Sequence, residues 1–362
     1  MRAVSPGAVT PARLAAMLPD ASAPRRHAWA LTASSVALVV LLAATWLVVG
    51  ASLREASPAV VAAGRTAFTV AGLAALTAWL SARDVAPSRA YPAAPGSAAA
   101  ARRSAARPYR RGEVLLLAGT GVSAYTVFST VAIDLAGPVL PTLVLALTPA
   151  AVLAGESALA RTVPTVRTIA GTALAVSGAV AYVLPRLTGT LGRDVALGSV
   201  FALAAMLSMA FYGLSFARVN RGYRGPMAPR ILPVFAVGSV PLLAWATVAV
   251  AGGERVGWVT AGLLALLGIG IYVPVYLLQH RIIVDAGASY AALLGLATPP
   301  LVGVSSALLH LAAVPGPVQI SGIALTVVGM AVVLARGGRG SASGGGRRAR
   351  ERPRAARRAC VR

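Results

Sequence analysis

Two stretches of the chain share one pattern, and this pattern decides the fold. DLAGPVLPTLVLALTP runs from Asp134 to Pro149, and DAGASYAALLGLATPP runs from Asp285 to Pro300. Each begins with an aspartate, continues through apolar residues and ends at a proline. With an offset of 151 residues and no gap, 13 of the 51 positions that start at these aspartates are identical. About five or six identities would arise by chance in a sequence this rich in Ala, Leu and Val. The chain therefore contains an internal repeat.

Residues that are uncommon in apolar helices extend the repeat. The same offset aligns further prolines, glycines and tyrosines: Pro164 with Pro315, Gly171 with Gly322, Gly178 with Gly329, and Tyr125 with Tyr276. Further upstream, an offset of 165 residues aligns Trp46 with Phe211 and Arg65 with Arg230. The repeat therefore extends over most of the chain.

The composition places most of the chain in lipid. Of 362 residues, 57% are hydrophobic and 12% are charged, whereas soluble domains carry about 25% charged residues. The mean hydropathy is +0.76. A helix needs about 20 apolar residues to cross a bilayer. Ten such runs occur, at 28–50, 57–80, 113–133, 138–160, 165–185, 194–217, 230–252, 257–280, 287–310 and 316–335. We therefore predict an all-α integral membrane protein with ten transmembrane helices.

The ten runs divide into two copies of five. The first copy is residues 28–185, and the second is residues 194–336. Because five is odd, the second copy must be inserted upside down relative to the first. Two inverted repeats are the plan of many secondary transporters, whose substrate site lies near the middle of the membrane between the repeats.

The arginines predict the orientation, because all 33 basic residues are arginine. With residues 1–27 as a cytoplasmic N-terminal segment, 28 arginines fall on the inner side and four on the outer side, as the positive-inside rule requires. This predicts a multi-pass protein of the cell (plasma) membrane with both termini and the loop 84–112 in the cytoplasm.

The Arg/Gly-rich tail, residues 337–362, is too polar to fold alone and is expected to be disordered. We expect it to contact anionic lipid headgroups. It has no aromatic residue to stack on bases, so we expect no nucleic-acid partner despite the net charge of +23.

Two motifs add to the repeat. The stretch GIGIYVPVYLLQHRIIVDAGASYAALLGLATPPLVGVSSALL occupies residues 268–309, and Arg65 lies in AAGRTAF. Together with the five-helix copies they resemble the drug/metabolite transporter (DMT) superfamily in its EamA-type branch, over about residues 30–336. The resemblance implies a ten-helix carrier that exports a small metabolite, such as an amino acid or related compound, by alternating access. Where the family carries an acidic residue near the end of helix four, this chain has Thr162, and Glu156 stands six residues earlier.

The resemblance also implies that helices one, three, four, six, eight and nine line a central cavity. The candidate lining residues are Trp46, Tyr125, Ser129, Tyr212, Tyr276 and Gln279. Tyr125 and Ser129 are four residues apart and share a helix face. Alternatively, such tyrosines belong to interfacial belts, and the serine hydroxyl bonds its own helix backbone.

Two charged residues lie inside predicted spans, where they are costly. Glu156 either faces the cavity and couples transport to protons, or reaches the headgroups or pairs with Arg161. Arg65 either binds the carboxylate of a substrate, or snorkels to the interface, or ties helix two to a backbone carbonyl. Pro149 and Pro300 are predicted to kink the two equivalent helices.

No motif indicates an enzyme or an ATP-driven pump. The sequence has no GxxxxGK[ST] phosphate loop and no Cys/His cluster with metal-ligand spacing, so we expect no cofactor and no metal. We expect a small-molecule substrate and membrane lipids as partners, and a homodimer stays open. Two other functions stay open as well: a flippase for lipid-linked intermediates, as in some relatives within the superfamily, and a non-transporting scaffold that acts through its basic tail.

Overall fold

The chain folds as a bundle of helices. The computed structural model describes residues 23–85, 107–136, 141, 144–185, 194–308 and 314–334, and within these ranges there is no strand. The predicted N-terminal segment 1–27 is described only from residue 23, and most of the loop 84–112 and the tail 337–362 lie outside the described residues.

Eleven helical elements follow one another along the described chain. They are α1 Ala23–Ser52, α2 Pro58–Val85, α3 Arg111–Ala136, α4 Thr148–Ala160, α5 Val166–Val183, α6 Val195–Val219, α7 Met227–Ala251, α8 Trp258–Ala286, α9 Ala288–Gly295, α10 Thr298–Leu308 and α11 Pro317–Leu334.

Six of these helices are long and apolar enough to cross a membrane: α2, α3, α5, α6, α7 and α8. Shorter apolar helical stretches occur at Trp29–Thr45, Ala288–Val302 and Pro317–Val333. The predicted run 138–160 is described only in part. The described chain therefore has the character of a multi-pass α-helical membrane protein, as the hydropathy predicted.

Two of the long helices contain a π-helical segment. In α3 it spans Ala118–Ala124, and in α8 it spans Leu266–Tyr272. π-Helical turns are rare and are frequently found at functional sites. Both segments run directly into the tyrosine-containing turns of α3 and α8 that the sequence analysis selected.

Pro149 and Pro300 do not bend the interior of a helix. Pro149 is the second residue of α4, and Pro300 is the third residue of α10. A turn at Leu296–Ala297 separates α9 from α10. The first turn of a helix tolerates proline because its N–H groups have no intrahelical partner. The chain thus breaks just before each proline, at Ala146–Leu147 and at Leu296–Ala297, where a kink within a continuous helix was predicted.

The main hydrophobic core lies where α1, α2, α3, α6, α7 and α8 meet. Its fully buried side chains include Leu38, Leu73, Leu117, Phe216 and Ile231. α2 packs along α7, α3 along α6, and α1 against α8. These contacts leave a space between α1, α2, α3 and α8 in which the candidate site lies.

α5 and α11 pack closely along their length. Glycines make this approach feasible: a Cβ on Gly178 would lie 2.6 Å from the carbonyl oxygen of Gly322, and one on Gly171 would lie 3.0 Å from that of Gly329. Small residues at helix crossings are typical of membrane proteins, where close backbone approach replaces the hydrophobic effect as the driving force.

The bundle has two ends. At the end where α1 passes into α2, the Ser57 backbone N–H and hydroxyl donate to the Glu254 carboxylate at 2.6 and 2.5 Å, so the α7–α8 connection lies there too. We call this the α1–α2 end. At the far end α8 stops at Gly287, whose φ of 96° suits glycine, and α9 begins.

Candidate functional site

A cavity of about 200 Å³ lies within the bundle. Leu53 and Pro58 line it at the α1–α2 end, and it reaches inward past Arg65 to Tyr276 and Gln279 of α8. Its walls come from both halves of the chain. Four of the predicted lining residues contribute to it: Tyr125, Ser129, Tyr276 and Gln279.

Arg65 also lines the cavity. Its Nη1 donates to the Tyr272 hydroxyl at 2.5 Å, and its guanidinium carbon lies 5.1 Å from the centre of that ring. Because Arg65 is on α2 and Tyr272 on α8, the contact joins the two halves. Arg65 therefore links α2 to α8 through a tyrosine hydroxyl, where a backbone carbonyl was the predicted partner, and its contact with a substrate stays a prediction.

Tyr272 was not among the residues predicted from the sequence to line the cavity. It lines the cavity and stacks on Tyr276, with ring centres 5.1 Å apart and planes 19° apart. The signal was present, because residues four apart share a helix face. Tyr276 packs in turn on Phe235 at 4.4 Å, so the wall that α8 presents is a fixed aromatic surface.

Ser129 was predicted either to line the cavity or to bond its own helix backbone, and it does both, as does its neighbour Thr130. Their hydroxyls donate to the Thr126 carbonyl at 3.2 and 2.7 Å, and both residues line the cavity. A hydroxyl that donates to its own helix keeps lone pairs to accept from a ligand. With the Gln279 amide, they give the cavity neutral groups that can donate or accept.

Tyr212 lies outside the cavity lining. Its side chain is buried among α6 and α8, where its hydroxyl bonds Nε2 of His280. His280 Nδ1 faces the Tyr276 carbonyl at 2.6 Å, so Nδ1 carries the proton and Nε2 accepts from Tyr212. This pair sits behind the Tyr276 wall and holds it in place. The side chain of Trp46 lies outside the described residues.

Glu156 lies at the far end of the bundle, away from the cavity lining. Its carboxylate accepts from the Ser289 backbone N–H at 3.1 Å and from the Ser289 hydroxyl at 2.6 Å. A carboxylate at a helix start is favourable because the first N–H groups lack partners. The predicted ion pair with Arg161 is replaced by this cap on α9.

A second contact closes the same end. The Tyr290 hydroxyl lies 3.0 Å from the Ser35 hydroxyl of α1. Two adjacent residues at the start of α9 thus bond two different helices of the first half. The aromatic cluster of Tyr212, Phe216, Phe235 and Tyr276 packs around His280 of α8.

Arg230, the repeat equivalent of Arg65, is not in the cavity. Its Nε donates to Asn220 Oδ1 at 2.6 Å, and its guanidinium lies 3.6 Å from the Tyr109 ring centre. The Tyr109 hydroxyl donates to the same Asn220 oxygen at 3.0 Å. Burial raises the pKa of Tyr109, although the Arg230 charge opposes it, so the phenol keeps its proton. This arginine therefore anchors α7 to the segment before α3.

No group of three or more His, Cys, Asp or Glu side chains in the described part of the chain could hold a metal ion. The chemistry available in the cavity is recognition by one guanidinium, aromatic rings, hydroxyls and an amide. Such groups bind a solute and position it.

Comparison with known proteins bears on the fold alone. No family model matches the sequence, and no curated protein matches it. A solved structure described as a crystal structure of protein is similar, with a TM-score of 0.63 and 18% sequence identity. The match covers 84% of this chain and 98% of that one. At this identity the likeness extends to the arrangement of helices.

Proposed function

We propose that this protein is a secondary transporter of the drug/metabolite type, with ten spanning helices in two inverted five-helix repeats. It would export a small metabolite, such as an amino acid or related compound, across the cell membrane by alternating access. The observation that carries the proposal is a cavity between apolar spanning helices, with polar groups from both halves. Carriers place their substrate site at such an interface.

The contacts of α5 with α11 support the inverted arrangement. Gly171 and Gly322 are repeat equivalents, as are Gly178 and Gly329. The contacts pair Gly171 with Gly329 and Gly178 with Gly322. Each glycine of α5 thus contacts the repeat equivalent of the other α5 glycine. A two-fold axis that relates the two copies produces this reciprocal pairing. The order of the pairs is antiparallel, as inversion requires.

Other helix pairs fit the same plan. α2 and α7 are each the second helix of a copy, and they pack on each other. The contact of α3 with α6 has its counterpart in the contact of α8 with α1. In this arrangement α9 and α10 together form one span, and α4 belongs to the equivalent span of the first copy.

The two ends differ in a way that fits one state of an alternating-access cycle. Leu53 and Pro58 at the α1–α2 end belong to the cavity lining. The far end is closed by the bonds of Ser289 to Glu156 and of Tyr290 to Ser35. With both termini in the cytoplasm, the cavity would face outward. In the opposite state the bonds at the start of α9 would have to break.

Transport into everted membrane vesicles tests the proposal. Vesicles with and without the protein are compared for uptake of a labelled panel of amino acids and related metabolites, with and without an uncoupler. Ala62 lines the cavity and is buried, so Ala62→Phe should fill the cavity and abolish uptake. Ala244→Phe, at an exposed position of α7, is the matched control and should retain uptake.

The outcomes separate the rival functions. Protein-dependent uptake that Ala62→Phe abolishes supports a carrier. Translocation of a lipid-linked substrate without uptake of soluble solutes would favour the flippase. A cellular phenotype that survives Ala62→Phe and disappears on deletion of residues 337–362 would favour the scaffold.

A further inference from the structure

The cavity holds a positive charge without a negative one. Of the side chains that line it in the described chain, Arg65 is the charged one; the other polar groups are neutral. The nearest acidic residue in sequence, Asp134, follows the lining residue Ile133 but is exposed and outside the lining. Glu156 and Glu254 are bonded to serines at the two ends of the bundle. The lining therefore carries one net positive charge.

A guanidinium that lies between apolar helices is partly removed from bulk water, so an anion bound to it stabilises it. Within the described residues, the Arg65 guanidinium donates one hydrogen bond, to the neutral hydroxyl of Tyr272. A guanidinium has five N–H donors in a planar fork that matches a carboxylate, and it keeps its charge at any physiological pH. Most of the binding capacity of Arg65 is therefore available to a ligand.

The rest of the wall favours an apolar body. Leu42, Val49, Val61 and Leu145 line the cavity along with the rings of Tyr125 and Tyr276. The volume of about 200 Å³ is below the roughly 300–1,000 Å³ of sites for drug-sized ligands. The space therefore suits a compact aromatic or branched aliphatic group.

We propose that the cavity selects a small organic monoanion whose carboxylate binds Arg65 and whose apolar body packs on Tyr125 and Tyr276. This inference rests on the proposed transport function and narrows its substrate class: it excludes the zwitterionic amino acids and keeps related compounds that carry a carboxylate without an ammonium group. A monoanion makes the occupied cavity neutral. A zwitterionic amino acid would leave its ammonium group without an acidic partner in the lining, and a dianion would leave a negative charge in excess.

Arg230 of the second copy does not offer its guanidinium to the cavity as Arg65 of the first copy does. It occupies the equivalent position of the second copy, but its guanidinium is bonded to Asn220 and to the Arg107 carbonyl and is stacked on Tyr109. Among the described residues of the lining, the proposed carboxylate site is therefore Arg65, on the α2 side.

A series of ligands with one shared body tests the proposal. The purified full-length protein is titrated with 3-phenylpropionate, 3-phenylpropionamide, 3-phenylpropylamine and phenylalanine, with 3-methylbutanoate as an aliphatic acid. Dissociation constants come from intrinsic tryptophan fluorescence, and the shift in unfolding temperature is a second readout. We expect one or both acids to bind at least about tenfold more tightly than the amide, the amine and phenylalanine, because a hydrogen bond to a charged group is the stronger kind.

Two arginine variants test whether Arg65 causes the preference for the acid over the amide. Arg65→Gln should bind 3-phenylpropionate no more tightly than it binds the amide. Arg218→Gln, at an exposed position near the end of α6, should keep the wild-type preference. If Arg65→Gln does not fold, Arg65→Lys keeps the charge without the fork and should show a reduced preference for the acid.

Equal affinities for the acid and the amide would overturn the proposal, and so would a preference that persists in Arg65→Gln. Binding of phenylalanine as tight as that of 3-phenylpropionate would overturn the monoanion assignment. Failure of both acids to bind would overturn it as well, whatever solute the vesicles transport. Because equilibrium binding needs no flux, a protein that binds the acids but transports nothing refutes the transport function and leaves the site intact.

Discussion

Gly178 of α5 and Gly322 of α11 meet without an intervening side chain. A Cβ on Gly178 would lie 2.6 Å from the Gly322 carbonyl oxygen, and a Cβ on Gly322 would lie 2.7 Å from the Gly178 carbonyl oxygen. Both are main-chain contacts, which cannot give way as a flexible side chain can. The approach of α5 to α11 therefore depends on these two glycines.

We expect Gly178→Ala to destabilise the protein by about 1–3 kcal/mol, the usual cost of overpacking. The measurement is the unfolding temperature in detergent. Gly262→Ala in α8 is the control, because a Cβ there meets nothing within 4 Å, and alanine favours a helix over glycine. A Gly178→Ala protein as stable as Gly262→Ala would show that α5 and α11 are not this close.

The sequence allowed these glycines to be predicted as repeat equivalents. It also allowed several polar side chains of the cavity wall to be predicted. Tyr125, Ser129, Tyr276 and Gln279 were identified because they are polar residues on two helices that, by the family resemblance, were expected to line the cavity, and the structure places all four in the lining. Arg65 was identified because a charge inside a span is costly and needs a reason.

The sequence could not place Tyr212, because α6 is apolar on nearly every side and its pattern does not show which face turns inward. The partners of Glu156 and Glu254 could not be predicted for another reason. Ser289 is 133 residues from Glu156, and Ser57 is 197 residues from Glu254, so only the folded bundle brings each pair together.

Glu156 is the residue for which proton coupling can be tested. The neutral amide of Glu156→Gln would accept the bonds from Ser289 more weakly than the carboxylate does, which would loosen the closed end of the bundle. We expect Glu156→Gln to retain flux down a substrate gradient but to lose its dependence on an imposed pH gradient. Counterflow and pH-jump uptake in proteoliposomes measure the two properties separately.

Glu254→Gln is the control for this experiment, because its serine contact lies at the α1–α2 end. It should keep the pH dependence of the wild type. Unchanged pH-gradient dependence in Glu156→Gln would exclude this carboxylate as the coupling group and leave it as a helix cap.

The Tyr212–His280 pair should contribute to stability as a unit. Tyr212→Phe removes the donor to His280 Nε2 and leaves that nitrogen buried without its partner, which should cost about 1–3 kcal/mol. Replacing His280 by Leu leaves the tyrosine hydroxyl buried in the same way. The double variant should be less destabilised than the sum of the single variants. Additive losses in a thermal-unfolding cycle would mean that the two side chains do not interact.

Arg65 and Arg230 are equivalent in the repeat but should respond differently to the same substitution. Arg230→Lys loses the stacking on Tyr109 and the directed bond to Asn220, because an ammonium group lacks the planar fork. We expect a loss of about 1–2 kcal/mol in stability from the stacking and hydrogen bonding together. The relative affinities for acid and amide ligands should stay as in the wild type.

Arg65→Lys should show the reverse: a small change in unfolding temperature and a reduced preference for the carboxylate. Unfolding temperature and the acid-to-amide affinity ratio are measured on both variants under the same conditions. Similar ratios in the two variants would mean that the arginines share one role despite their different surroundings. Opposite responses would show that the two copies have diverged, one arginine serving the ligand and the other the fold.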